Sequence, residues 1–393
     1  MKKVIITDLL ILAVFGSTCF WSVKKDRLTA SVDKILTEQA SEDEEILVLT
    51  SSNLAKKNGQ MGETQMSENA DKESEENTTK DYIKWVDFTV SKFALTESYE
   101  YDRDTYGTDR HISWIDLLAW TAAHTGGKFG DDRTVCKCME ELEMEAEAGK
   151  KLEELTEDLE YFPYYREVYE TVLGGMVGEY EIEEPDAQGR KVTQKRYGLK
   201  AFHPIAKGFP YTDYDDFGAS RSYGYRRQHL GHDMMGQVGT PVVCVESGYV
   251  EALGWNQYGG WRIGIRSFDK KRYYYYAHLR QGFPYQPELK EGSVVLAGDV
   301  IGYMGHTGYS TKEDVNNIDQ THLHVGMQLI FDESQKDSDN EIWIDCYQIM
   351  GFLYRNQSET SRNDETKEWR RIYEMKDPAA EKYERTLDFS MYP

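Results

Sequence analysis

Residues 229–255 read HLGHDMMGQVGTPVVCVESGYVEALGW, and two patterns overlap in them. The second half gathers β-branched and apolar residues on either side of Ser247–Gly248, which predicts a strand, a tight turn and a second strand. The first half places His229, His232 and Asp233 close together, and these residue types bind metals. Working outward, WRIGIRSF (261–268) and RYYYYAHL (272–279) predict a hairpin turning at Asp269–Lys270. SVVLAGDVIGYMG (293–305) and THLHVGMQLIF (321–331) add two more strand regions. No long amphipathic helix intervenes before residue 345, and the connections are short. Residues 197–340 are therefore expected to form an all-β, antiparallel domain.

The chain has nine histidines, at 111, 124, 203, 229, 232, 278, 306, 322 and 324. Six lie between 229 and 324, five of them in the short pieces HLGHD (229–233), YAHL (276–279) and HLH (322–324). Residues two apart on a strand share a face, so His322 and His324 project together. His229, Gly231 and Asp233 share a parity if that segment is extended, and His232 points the other way. Two histidines and one carboxylate suit a catalytic zinc, which takes three protein ligands and keeps one position for water. The metal lowers the pKa of that water to about 7. An unligated imidazole nearby, with a pKa of about 6.5, is matched to take its proton. One zinc ion per chain is the cofactor this pattern implies.

HLGHDMMGQVGTPV, then SGYV, YYYYAHL, GDVIGYMGHTG and THLH, resemble in order and spacing the lysostaphin/LytM-type zinc metallopeptidases. The lead-in DFGASRSYGYRR (216–227) is also similar, and the likeness spans residues 202–331. It implies a lysostaphin-like β domain (a duplicated hybrid motif) in which His229, Asp233 and His324 hold zinc. It further implies His322 as general base on the attacking water, with His278 stabilising the tetrahedral oxyanion. Tyr223 and Tyr225 stand where some members place a substrate-contacting tyrosine. The implied activity is endopeptidase cleavage of peptidoglycan stem peptides or cross-bridges. Two departures stand out: an insertion resembling KEDVNNID (312–319) before HLH, and Val325–Gly326 after it in place of the frequent Phe-Glu. The rival class is a catalytically silent wall-binding or assembly module, and the completeness of the five site positions favours the enzyme. His306 has no motif role and is read as a turn residue.

The rest of the chain sets the context. With 46 Lys and Arg against 69 Asp and Glu, the net charge of −23 argues against nucleic acid and against an anionic lipid surface. Five cysteines in this arrangement predict free thiols. Residues 4–23 are apolar and long enough to span a bilayer, and 1–27 are read as an uncleaved signal anchor with the folded part outside the cell membrane. Residues 28–80 are polar and acidic, a flexible stalk. Residues 81–196 predict a mainly α domain. Ser113 is an N-cap before an apolar run ending at Gly126–Gly127, a periodic stretch covers 138–159, and PYYREVYETVLGG forms a further helix. His111 and His124 lack carboxylate or cysteine partners at ligand spacing and read as ordinary histidines. Residues 341–393 predict an amphipathic helix within IWIDCYQIMGFLYRN, then a tail that is either mobile or packed back. The fold class is thus multidomain α+β.

Overall fold

The computed structural model describes residues 82–223, 225–336 and 340–390. All of them fall in one compact unit, residues 79–393. The expected anchor and stalk, with Cys19, lie outside the described residues. No helix among the described residues is long and apolar enough to cross a membrane. Cys136, Cys138, Cys244 and Cys346 are in no disulfide among the described residues, as expected.

Five helices come first: α1 (Lys92–Thr105), α2 (Trp114–Thr125), α3 (Asp132–Glu147), α4 (Leu152–Thr156) and α5 (Phe162–Leu173). Ser113 caps α2 by accepting from the Asp116 amide, and Gly126 ends it at φ 64°. The periodic stretch 138–159 is not one helix. It breaks after Glu147, where Gly149 takes φ 84°, and Met144 within it is exposed. Residues 177–196, expected within the mainly helical part, instead enter a hairpin of β1 (Val177–Pro185) and β2 (Lys191–Leu199). GEYEIEE alternates with period two, the strand period, and that pattern prevails over the preceding helix.

The β part holds β3 (Thr212–Asp213), β4 (Ser220–Tyr223), β5 (Tyr225–Gln228), β6 (His232–Met235), β7 (Pro241–Val243), β8 (Gly248–Asn256), β9 (Gly260–Ser267) and β10 (Arg272–Ala277). It continues with β11 (Val294–Val295), β12 (Val300–Tyr303), β13 (His322–Leu329) and β14 (Ile342–Trp343). The main sheet runs β11-β8-β9-β10-β13-β6-β3, with β14 also on β13, and its pairings are antiparallel. The β9–β10 hairpin turns where expected, with Lys270 at φ 63°. The C-terminal part forms α6 (Tyr347–Leu353), the hairpin β15 (Thr360–Arg362) and β16 (Trp369–Arg371), β17 (Met375–Lys376) on β1, and α7 (Pro378–Ser390). The tail is packed back, since Tyr383 stacks on Tyr249 with ring centroids 5.2 Å apart.

One apolar core joins Leu117 and Leu118 of α2, Val168 and Val172 of α5, and Ile263, Tyr274 and Val325 of the sheet. Two buried polar knots hold helices to strands. Asp102 accepts from the Trp114 amide (2.9 Å) and the Tyr197 hydroxyl (2.7 Å), and it sits 2.8 Å from His111 Nε2. His111 therefore does have a carboxylate partner, one that sequence spacing did not show. Arg272 donates to Glu246 (2.8 Å) and to the Thr171 carbonyl at the end of α5 (2.7 Å), and the Tyr274 hydroxyl donates to the same carboxylate (2.7 Å).

His203 is fully buried, and burial pushes its imidazole down to about 4. A depressed histidine leaves the folded state with fewer bound protons than the unfolded one, whose pKa is about 6.5. Stability is therefore lost as pH falls from about 6.5 towards about 4. Between pH 7 and pH 5 this residue alone accounts for about 2 kcal/mol. Urea denaturation at both pH values should show that drop shrinking by a similar amount in His203→Gln; an unchanged drop would refute the assignment.

Candidate metal centre

Strand register builds the site. His324 pairs with Asp233 on one side and with Ala277 on the other, so β6, β13 and the end of β10 bring three motifs to one place. His229 precedes β6 by a short turn and folds back over it. Its Nε2 lies 3.0 Å from Asp233 Oδ1 and 2.9 Å from His324 Nδ1, and the third side of the triangle, His324 Nδ1 to Asp233 Oδ1, is 2.9 Å. All three side chains are at least nine-tenths buried or nearly so. These are the three residues that the parity argument and the resemblance single out.

The donor set fits a zinc ion. Three lone-pair atoms converge, and ligand atoms on a tetrahedral zinc with bonds of about 2.0–2.2 Å lie roughly 3.3 Å apart. His229 Nδ1 is 3.1 Å from the Asp216 carbonyl, which takes its N–H and turns the Nε2 lone pair inward. Asp233 uses its second oxygen on Arg221 (3.4 Å), which also pairs with the Asp216 carboxylate. Burial works against the Asp233 charge, but the imidazoles of His229 and His324 beside it prevail and hold the carboxyl well below its usual range. Burial likewise lowers His324, which favours its neutral imidazole.

Gly231 is part of this packing. A Cβ there would lie 2.5 Å from His324 Cε1 and 2.7 Å from the Val325 carbonyl, so only glycine lets the two histidines meet. His232 points to the opposite face, as expected, with Nε2 2.9 Å from Asp213. His306 bonds the Ile318 carbonyl (2.7 Å) and stands apart from the cluster.

His322 and His278 flank the triangle, with ring centroids 4.7 Å apart. Each uses Nδ1–H on a backbone carbonyl: His322 on Gln320 (2.8 Å) and His278 on Thr307 (2.9 Å). Both Nε2 atoms are thereby left facing away from these carbonyls. His322 Nε2 is 3.8 Å from Asp233 Oδ1. His278 sits in the left-handed region at φ 60°, held by its amide bond to Gly259 (2.7 Å) and by the Gly305 amide on its carbonyl (3.0 Å). Burial pushes it well below the ordinary histidine value, and His322 and His324 add to that.

The cluster lies in an open cleft of about 830 Å³ that runs along the sheet from Arg221 and Arg227 to Gln328 and Trp343. The hairpin of β4 and β5 carries Tyr223 and Tyr225, whose side chains lie outside the described part. The insertion after Gly308 is pinned rather than loose, since Asp314 Oδ1 accepts from Trp261 Nε1 and the Gly282 amide, both at 2.8 Å. Gly326 makes room for Trp343 in the cleft wall, because a Cβ there would lie 2.7 Å from its ring. Sequence reasoning missed Asp216, Arg221, Thr307 and Trp343. All four lie in stretches quoted above (Asp216 and Arg221 in DFGASRSYGYRR, Thr307 in GDVIGYMGHTG, Trp343 in IWIDCYQIMGFLYRN), but no spacing there gives them a role.

An antiparallel sheet with a buried two-histidine, one-aspartate cluster on the floor of an open cleft defines a mononuclear metal-site domain. Residues 227–338 match the model of peptidase family M23. The chain is 42% identical over 124 residues to the L-Ala–D-Glu endopeptidase of Bacillus subtilis (strain 168), covering 32% of this chain and 36% of the relative. It is 39% identical over 84 residues to lysostaphin of Staphylococcus simulans, covering 21% of this chain and 16% of that one. Among solved structures, the catalytic domain of lysostaphin from Staphylococcus simulans is similar at 29% identity and a TM-score of 0.29, covering 36% of this chain and 92% of that one. The chain thus spans only about a third or less of the length of these curated relatives.

Proposed function

We propose that the chain is a zinc-dependent endopeptidase that hydrolyses peptide bonds in peptidoglycan stem peptides or cross-bridges. The observation that carries this reading is the triangle of three potential ligand atoms, on His229, Asp233 and His324, beside the two imidazoles of His322 and His278, whose Nδ1 atoms are held on backbone carbonyls. The peptidoglycan substrate rests on the similarity to the L-Ala–D-Glu endopeptidase. His229, Asp233 and His324 hold one zinc ion, which when bound acidifies water and polarises a carbonyl. His322 takes the proton of the attacking water on Nε2. His278 is a donor to the tetrahedral oxygen only once its Nε2 is protonated. The proton that His322 takes from the water then passes to the leaving amine, which restores the free imidazole. Residues 1–27 anchor the chain, with the peptidase domain on the cell-wall side. Membrane fractionation tests this, and a fully soluble mature chain starting near residue 20 contradicts it.

Removing the metal with EDTA should abolish cleavage of a stem-peptide substrate, and stoichiometric zinc should restore it. Cleavage that persists in EDTA would overturn the reading. Gly231→Ala gives an independent check. Its Cβ forces His324 away from His229, so metal analysis should find the variant folded with little zinc. A full complement of zinc would show that the triangle tolerates the displacement.

A further inference from the structure

The cleft beside the metal centre holds two guanidinium groups without acidic partners. Among the described residues neither Arg227 nor Arg262 forms an ion pair, although the chain has 69 acidic residues against 46 basic ones. Arg227 is clasped between the rings of Tyr258 (5.6 Å) and Tyr309 (5.3 Å) and donates to the Tyr309 hydroxyl at 2.6 Å. Its Nε is buried with no hydrogen-bond partner. Arg262, on β9 opposite the end of β8, has Nη1 buried and unpartnered. Gln328, on β13 two turns of the pleat past His324, has Nε2 in the same condition.

All of these groups line the metal cleft, and the carboxylates that share its wall are already engaged. Asp233 belongs to the histidine cluster, and Glu341 accepts from Trp343 Nε1 at 2.7 Å. The other cations are engaged too: Arg221 pairs with Asp216, and Lys336 pairs with Glu251. Tyr275 lines the same cleft, and its hydroxyl accepts from Asn256 Nδ2 (3.1 Å) and so keeps its own proton to donate. Burial pushes that hydroxyl up, and the charges of Arg262 and Arg227 act against it. The Tyr275 ring is 5.9 Å from that of His324. A half-buried site offering only N–H and O–H donors and positive charge lacks an anion. A planar guanidinium matches a carboxylate with paired hydrogen bonds.

We propose that Arg262 and Arg227, with the Tyr275 hydroxyl, bind a free carboxylate that the peptide substrate carries next to the scissile bond. They thereby make the site select acidic stem peptides over amidated ones. This rests on the peptide-hydrolase reading and names the feature of the substrate that the site reads. Arg262 and Arg227 are specificity residues that touch substrate, and neither takes part in proton transfer.

The test uses two synthetic peptides, L-Ala–γ-D-Glu–L-Lys and the same peptide with the glutamyl α-carboxylate amidated. Binding of each to the full chain, freed of metal by chelation, is measured by calorimetry, and kcat/KM is measured on the zinc-loaded chain. The acid form should bind roughly 10- to 100-fold more tightly, the value of charge-assisted hydrogen bonds to one carboxylate. Arg262→Gln should bring that ratio close to one, and Arg262→Lys should keep part of it. Equal binding of the two forms, binding of neither, or an unchanged ratio in Arg262→Gln overturns the proposal. The wild-type ratio alone decides it should a variant fail to fold. Selective binding without hydrolysis of either peptide would instead sink the hydrolytic reading and leave the carboxylate site standing.

Discussion

His322→Ala should lower kcat/KM on a stem-peptide substrate by about 10²- to 10⁴-fold while the protein still holds its zinc. That range is what a positioned general base contributes. His322 stands next to the triangle but outside it, with Nε2 3.8 Å from Asp233 Oδ1 and Nδ1 fixed on the Gln320 carbonyl. Truncating it removes a proton acceptor and leaves His229, Asp233 and His324 in place. His324→Ala, two residues on, should lose both metal and activity, because its Nδ1 is one corner of the triangle. Metal analysis and steady-state kinetics on the two variants separate base from ligand. A His322 variant that loses its zinc, or one that keeps wild-type turnover, would reverse the assignment.

Arg272→Ala should destabilise the folded unit by about 3–5 kcal/mol, the cost of leaving a buried charge without its partner. Arg272 and Glu246 are almost completely buried, and the pair joins the sheet to the end of α5 through the Thr171 carbonyl. Without Arg272, the Glu246 carboxylate keeps only the Tyr274 hydroxyl, and the carbonyl loses its donor. Total stabilities are only about 5–15 kcal/mol, so the variant should unfold at much lower urea than wild type. Arg272→Met combined with Glu246→Gln should recover part of the loss, since no unpaired charge then remains. A single variant as stable as wild type would mean that helices and sheet are held by apolar packing alone.

The site was more legible in the sequence than the fold around it, and strand geometry explains why. Period-two parity puts His322 and His324 on one face and sends His232 to the other, and the register of β6 on β13 then needs no further information. The same logic located the β9–β10 turn at Asp269–Lys270 and the helix starting after Ser113. Long-range polar pairing was not legible. Asp102 and Tyr197 are 95 positions apart, and Glu246 and Arg272 are 26 apart, so no local spacing announces them. The same holds for Asp216 and Arg221, which orient His229 and Asp233 from a preceding segment with no ligand spacing of its own. The β1–β2 hairpin was hidden because its acidic alternation follows directly on a helix. Gly231 and Gly326 show what a glycine in a motif can conceal: each is empty space that another side chain uses, and only coordinates reveal which.

The most direct measurement is mass spectrometry of purified peptidoglycan digested by the zinc-loaded chain, run beside Asp233→Ala. The wild type should release fragments with new peptide amino termini, at one zinc per chain, and the variant should bind no zinc and release none. Intact muropeptides after digestion by a fully zinc-loaded wild type, or equal release by Asp233→Ala, would contradict a zinc-dependent endopeptidase built on this triangle.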